Sequence, residues 1–406
     1  MSVQLNKRVI RLKPSASIAA KQKVTELQAA GRRIIDLTIG EPDFDSPQHV
    51  IEAGIDAMTS GKTHYTPTPG IPQLRKAIVE KFRNENGLDV SLENVIVGTG
   101  AKQLIYEAFA ATVEEGVEVI IPAPYWVSYP DMVELNGGTP VIVPCPESKG
   151  FKLTPEALEK AITPNTRWVV LNAPNNPSGA LYSVEELEAL AEVLKRHPHV
   201  AVMSDEIYEH IVYDGAEAVT LLKVAPELAD RMLVVNGVSK AYAMTGWRLG
   251  YAAGPKELIG AIAKLIGQST TCASSISQIA AVAALTGDQS CVAKATDLFR
   301  QRRDRMVEIL KDAPGIDVTA PAGAFYLYPS VSGMIGRTTP AGKVLETDVD
   351  VAFYFLEEAG VAVLDGSAYG MSPYIRLSFG TSMDEVEAGS HALREACVKL
   401  QQLENV

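Results

Sequence analysis

Short apolar runs recur between residues 95 and 254: VIVGTG (95–100), EVIIPAP (118–124), TPVIVPCP (139–146), TRWVVLNAP (166–174), VAVMSDEIY (200–208), MLVVNGVSK (232–240) and LGYAAG (249–254). Each has the length of a strand and suits burial on both faces. Several are separated by stretches whose apolar residues return every three or four positions, notably 102–113 and 183–196, which predicts helices. Ser183 and Glu186 spell a capping box that opens the second of these. Strands alternating with helices predict an α/β fold with a mainly parallel sheet, covered on both faces, and ligands at the carboxyl ends of its strands.

The pattern changes over 296–330, where a charged helix, LFRQRRDRMVEILKD, leads into IDVTAPAGAFYLYPS, which alternates like a half-exposed strand. A second domain is expected to begin near 296. The stretch 331–348, rich in Gly, Thr and Pro, reads as an excursion between elements. At roughly 150 residues per domain, 406 residues suffice for two or three.

Charge and cysteine usage narrow the function classes. With Asp+Glu at 49 against Lys+Arg at 37 the net charge is -12, the wrong sign for neutralising nucleic-acid phosphates. Cys145, Cys272, Cys291 and Cys397 lie far apart without a CxxC pair, which argues against a disulfide framework and against a zinc site. No apolar run approaches the ~20 residues of a membrane span, and the first thirty residues lack a signal-peptide core. A cytoplasmic protein without metal, membrane or nucleic-acid partner is expected.

Chemistry gathers at the predicted strand ends. Gly98-Thr99-Gly100 follows a strand and opens a helix, the arrangement that turns free backbone N–H groups toward a phosphate. Gln103 stands where the dinucleotide fingerprint needs its third glycine, and no GK[ST] ending follows, so neither standard nucleotide loop is present. A tight turn without a ligand is the plain alternative. Asp205 and Tyr208 end one strand, Lys240 ends the next, and Arg248 lies in the aromatic and glycine-containing loop after it. A lysine, a carboxylate and a phosphate cradle together are what pyridoxal phosphate requires.

SKAYAMTGWRLGY (239–251), NNPSG (175–179), SDEIYEH (204–210), PAPYWVSYP (122–130), GEPDF (40–44) and HYTPTPGIPQLR (64–75) resemble, in order, the motif set of class I aminotransferases, and within it the bacterial aspartate aminotransferase subgroup. The resemblance spans nearly the whole chain. It implies a fold-type I pyridoxal phosphate enzyme: a large domain with a seven-stranded mixed, mainly parallel sheet (47–295), and a smaller α+β domain built from both termini (1–46 and 296–406). It implies Lys240 as the Schiff-base lysine and proton carrier, Asp205 at the pyridine nitrogen, Tyr208 and Asn176 at the ring hydroxyl, and Trp126 on the ring face. Gly100, Ala101, Lys102 and Arg248 fall at the phosphate, and Arg376 with Gly40 at the substrate α-carboxylate. Lys102, with help from Ser15 and Ser17, matches the side-chain carboxylate site of that subgroup, and Tyr65 matches a tyrosine that reaches the neighbouring subunit's cofactor across a homodimer. Gly237 departs from the pattern, for many relatives carry a phosphate-binding serine there.

The expected reaction is ping-pong transamination between aspartate or glutamate and 2-oxoglutarate or oxaloacetate. An aromatic or broad-specificity aminotransferase, a carbon-sulfur lyase on the same cofactor, and a catalytically silent binding protein are the competing readings.

Overall fold

The computed structural model describes residues 3–12, 24–29 and 31–402. Its strands, in chain order, begin with β1 (Ile35–Asp36). Seven follow in the middle of the chain: β2 (Val95–Gly98), β3 (Glu118–Ala123), β4 (Thr139–Pro144), β5 (Thr166–Asn172), β6 (Ala201–Asp205), β7 (Met232–Gly237) and β8 (Gly250–Ala253). Four short ones close the series: β9 (Tyr326–Leu327), β10 (Val361–Ala362), β11 (Leu364–Asp365) and β12 (Ile375–Ser378).

All seven apolar runs of the sequence become the strands β2 to β8 of one sheet, in the order β2-β8-β7-β6-β5-β3-β4. Only β8 is antiparallel to its neighbours. The chain returns from β7 through a twelve-residue loop, 238–249, with no crossover helix to bring it around for parallel pairing. Alternate side chains serve opposite faces. Val169 and Leu171 of β5 meet Leu187, Leu190 and Leu194 of the helix Val184–Arg196, while Trp168 and Val170 join the core under the helices Ala101–Thr112 and Lys256–Ser269. Ser183 and Glu186 form the expected reciprocal cap. β4 differs from the expectation of full burial. It is the sheet's edge, with only Val143 buried, and its prolines Pro140 and Pro144 suit a strand with one free side.

A second core joins the two ends of the chain: Leu37 packs with Phe299, Met306, Tyr326, Leu377, Val386 and Leu393, and β1 pairs in parallel with β10. The helix Ser290–Leu310 runs through position 296 unbroken. Cys291 and Val292 face the sheet's core, whereas Ala295 and Phe299 belong to the second. The stretch 316–330 is not a half-exposed strand. Only Tyr326–Leu327 pairs as a strand, and residues 324–331 are all buried, with the Tyr326 hydroxyl at that of Tyr208 and Tyr328 Oη donating to Met371 O. Hydroxyl tips that find buried partners let a polar-looking alternation go inside.

Candidate active site

The carboxyl ends of β5, β6 and β7, the start of the helix Ala101–Thr112, residues 38–41 and Arg376 of β12 surround a cavity of about 830 Å³. Lys240, Asp205, Tyr208, Asn176, Trp126, Gly100, Ala101, Lys102, Arg248, Gly40 and Arg376 all line it. Ser15 and Ser17 lie outside the described residues. Tyr65 does not line the cavity and is 87% exposed on this chain.

Close backbone packing makes one wall. Gly100 has φ +89°, and a Cβ on it would lie 2.9 Å from Arg248 Nη2. Gly250 sits so near the helix start that its Cβ would lie 2.3 Å from Ala101 N. Gln103, which interrupts the dinucleotide fingerprint, receives the Thr99 N–H at 2.6 Å and so shapes the turn. The N–H groups of Ala101 and Lys102, as first-turn donors, have no intrahelical acceptor. A glycine cradle, two free donors and a guanidinium fit a phosphate group. Gly237 packs against β8, where a Cβ would lie 3.1 Å from Gly250 Cα and 3.2 Å from Leu249 O. The strand therefore has little room for the serine that many relatives carry.

On the floor, the Asp205 carboxylate accepts from Tyr129 Oη at 2.6 Å and from Ile207 N at 3.3 Å. Burial pushes its pKa up, opposed by those two donors and by the charge of Lys240. A cationic ring nitrogen against Asp205 would offset that desolvation, so the residue fits the pyridine end of pyridoxal phosphate. The Tyr208 hydroxyl is 2.8 Å from that of Tyr326, and burial holds it well above the usual phenol range. Trp126 stands edge-on to Tyr129, with ring centroids 5.3 Å apart, and Lys102 Nζ lies 4.7 Å from the Trp126 ring centre. Burial, then Arg248, lowers the Lys102 pKa.

Lys240 Nζ donates to Gly40 O at 2.5 Å. Its pKa falls to about 8, chiefly through burial, then through Arg376 and Arg248, with Glu41 and Asp205 opposing. Arg376 is 5% exposed and pairs with no carboxylate among the described residues. Its Nη1 donates to Asn176 Oδ1 at 3.2 Å and its Nη2 to Thr38 O at 2.6 Å, while Nε is buried without a partner. The rings of Tyr326 and Tyr369 lie 4.4 and 5.3 Å from its guanidinium carbon. A buried cation with neutral partners and a free donor calls for an anion.

The sequence reading overlooked Tyr129, Tyr326, Thr38, Asn172, Glu41 and Thr245, which also line the cavity. Tyr129 lies in the first turn of the helix Ser128–Leu135, and its N–H donates to Trp126 O at 3.0 Å in the turn that precedes it. Thr38 acts through its carbonyl, which no residue type betrays. Among the described residues, Glu85, Glu209 and His210 come within reach of a shared cation, yet Lys81 Nζ donates to Glu209 and lies 3.6 Å from Glu85, so an ammonium already fills that role.

The family model for aminotransferase class I and II matches residues 32–393. A protein of Rhizobium leguminosarum bv. phaseoli named "probable aspartate/prephenate aminotransferase" is 53% identical over 387 residues, 95% of this chain and 97% of that one. The aspartate/prephenate aminotransferase of Cereibacter sphaeroides is 52% identical, covering 98% of each chain. The crystal structure of the aspartate aminotransferase from Rhizobium meliloti superposes with a TM-score of 0.97 at 48% identity, covering 98% of this chain and all of that one. With its sheet, its cavity and a match over most of its length, the chain belongs to the class I and II aminotransferases.

Proposed function

We propose that this aminotransferase exchanges the amino group of aspartate or glutamate with 2-oxoglutarate or oxaloacetate, in two half-reactions, using pyridoxal phosphate. The family depends on that cofactor, and its substrates are amino and oxo acids. The observation that carries the reading is Arg376: a buried guanidinium with a free donor, lining the same cavity as the phosphate cradle, with its charge and that of Arg248 both acting on Lys240.

Pyridoxal phosphate, when bound, supplies the electron sink for the pair left at the substrate α-carbon. The chain's own groups do the rest. Asp205 would keep a proton at the ring nitrogen, Tyr208 and Asn176 would donate hydrogen bonds at the ring hydroxyl, and Trp126 would cover the ring face. Ala101 N, Lys102 N and Arg248 would hold the phosphate. Arg376 takes the α-carboxylate in two parallel hydrogen bonds, which lysine could not offer. Lys240 Nζ would take the proton from the substrate α-carbon, and its pKa of about 8 leaves a useful fraction neutral at physiological pH. Lys102 meets the side-chain carboxylate from the helix start. Filling Arg376, which belongs with the second core, would draw that part of the molecule onto the sheet and exclude water.

We place the enzyme in the cytoplasm, in keeping with four free thiols of which Cys145 and Cys397 are buried. A second substrate reading has support from the names of relatives at 53 and 52% identity, which include prephenate, itself a 2-oxo acid with a second carboxylate. One assay tests these readings. Aspartate, phenylalanine and tyrosine are offered as donors with 2-oxoglutarate, glutamate as donor with oxaloacetate, and prephenate as acceptor with aspartate or glutamate. Acidic donors should lead; preference for aromatic donors would overturn the acidic assignment, and steady release of ammonia and pyruvate would indicate a lyase. Borohydride reduction and peptide mapping should label Lys240 and no other lysine.

A further inference from the structure

Residues 37–46 form a strap that leaves β1 and ends before the helix Gln48–Thr59, and two alternate carbonyls of it are taken by the cations of the site. Thr38 O accepts from Arg376 and Gly40 O from Lys240, at 2.6 and 2.5 Å. Beyond Gly40 the strap is fastened on two sides. Toward the loop after β7, Thr245 Oγ1 donates to Glu41, Ser46 Oγ donates to Ala243 O at 2.8 Å, and Trp247 Nε1 donates to Ser46 Oγ at 3.0 Å. Toward the helix Ser290–Leu310, Arg302 donates from both Nη atoms to the two oxygens of Asp43, at 2.7 and 2.9 Å. Phe44 packs there on Phe299, with centroids 5.4 Å apart.

The Arg302 side chain is 6% exposed and that of Asp43 28%. A forked ion pair in such a place fixes geometry more than it adds stability, because desolvation offsets much of its attraction. The geometry it fixes is that of the strap, since neither residue lines the cavity.

We infer that Asp43 and Arg302 are positioning residues for the catalytic lysine: they hold the strap where Gly40 O meets Lys240 Nζ and where it narrows the amine's access to water. This deepens the proposed function and rests on Lys240 as its proton carrier. Four charged groups face Lys240: Arg376 from β12, Arg248 from the loop after β7, Asp205 from β6 and Glu41 from the strap. The rings of Tyr208 and Phe325 lie 5.7 and 5.8 Å from its nitrogen. A loosened strap withdraws Glu41 and the Gly40 carbonyl, and both losses lower the lysine pKa; it also admits water, which raises it. Burial is the largest influence on Lys240, so hydration wins and the pKa rises toward its ordinary value.

The test titrates Lys240 directly. The full chain, freed of cofactor, is labelled with trace acetic anhydride across the pH range, and the Lys240 peptide is quantified. Wild type should titrate near 8. Asp43→Asn and Arg302→Lys should move that midpoint up by about one unit or more, and Asp43→Glu, which keeps the pair, should move it less. With cofactor restored, the acid limb of the donor half-reaction should move up alongside. A Lys240 midpoint still near 8 in Asp43→Asn overturns the inference. Should Asp43→Asn fail to fold, Phe44→Leu loosens the same anchor without stranding a charge, and an unmoved midpoint there is equally fatal. A shifted midpoint in a chain that transaminates no donor would instead sink the proposed function and leave the positioning role standing.

Discussion

A lysine that must give up its proton near neutral pH needs a dry environment or cationic neighbours, and Lys240 has both. Lys102, which the proposed function sets at the substrate's side-chain carboxylate, is likewise partly stripped of water. Losing a charged hydrogen bond costs roughly 1.5–3 kcal/mol, so Lys102→Ala should cut kcat/KM for aspartate by about 10- to 150-fold and spare aromatic donors. Equal losses on both donor classes would leave Lys102 with the phosphate alone. Behind the site, Glu206 is pushed up to about 7 by burial and by the charge of Glu209. Its folded pKa lies above the ordinary carboxyl value, so the stability it contributes is complete at low pH and is lost as pH rises through about 7. Relative to Glu206→Gln, wild type should therefore lose on the order of 2 kcal/mol between pH 5 and pH 8, measured by urea unfolding; parallel profiles would refute a buried, titrating Glu206. Residues that act through charge were legible in the sequence because Lys240, Asp205, Arg248 and Arg376 sit in distinctive motifs. Those that act through a carbonyl, as Thr38 does, or by supporting another side chain, as Tyr129 supports Asp205, were not, since nothing in their type sets them apart.

Among the elements, the start of the helix Ala101–Thr112 depends on glycine at two positions, for different reasons. Gly100 needs its positive φ, whereas Gly250 needs only the absence of a Cβ, so that β8 can lie against the turn. Gly250→Ala would drive a methyl into Ala101 N and Gly100 C, and overpacking of this kind costs about 1–3 kcal/mol. Because the strain falls on the phosphate cradle, we expect pyridoxal phosphate affinity to drop by about 10- to 100-fold in a titration followed by absorbance. An unchanged affinity in a folded Gly250→Ala chain would show that the helix start does not hold the phosphate. The strands themselves were legible, since seven apolar runs gave seven strands. Direction was not, because it is a property of pairing: β8 runs antiparallel through the shortness of the loop before it. The edge left one signal, the prolines Pro140 and Pro144 of β4, which its apolar residues masked. The buried stretch 324–331 escaped for a related reason, its hydroxyls finding partners that only the fold supplies.

At the scale of the whole molecule, one core lies on the sheet and a second joins Leu37 to residues 295–400 with Tyr208, Ile211 and Tyr213 from the middle of the chain, while the strap's carbonyls link Arg376 and Lys240. Tyr65 is 87% exposed, and Ile55 and Met58, on the helix just before it, are 47 and 52% exposed. An apolar surface beside an unburied tyrosine suits a second copy of the chain. We therefore predict a homodimer in which Tyr65 completes the partner's phosphate cradle. Chains carrying Lys240→Ala and chains carrying Tyr65→Ala are unfolded, mixed and refolded together, so that half the dimers are mixed under random pairing. In each mixed dimer one site then bears both lesions and the other bears neither, so about a quarter of all sites should regain full activity. Neither parent refolded alone should recover. If the mixture is no more active than the average of the two parents, Tyr65 serves its own subunit or none, and the exposed surface at Ile55 and Met58 needs another explanation.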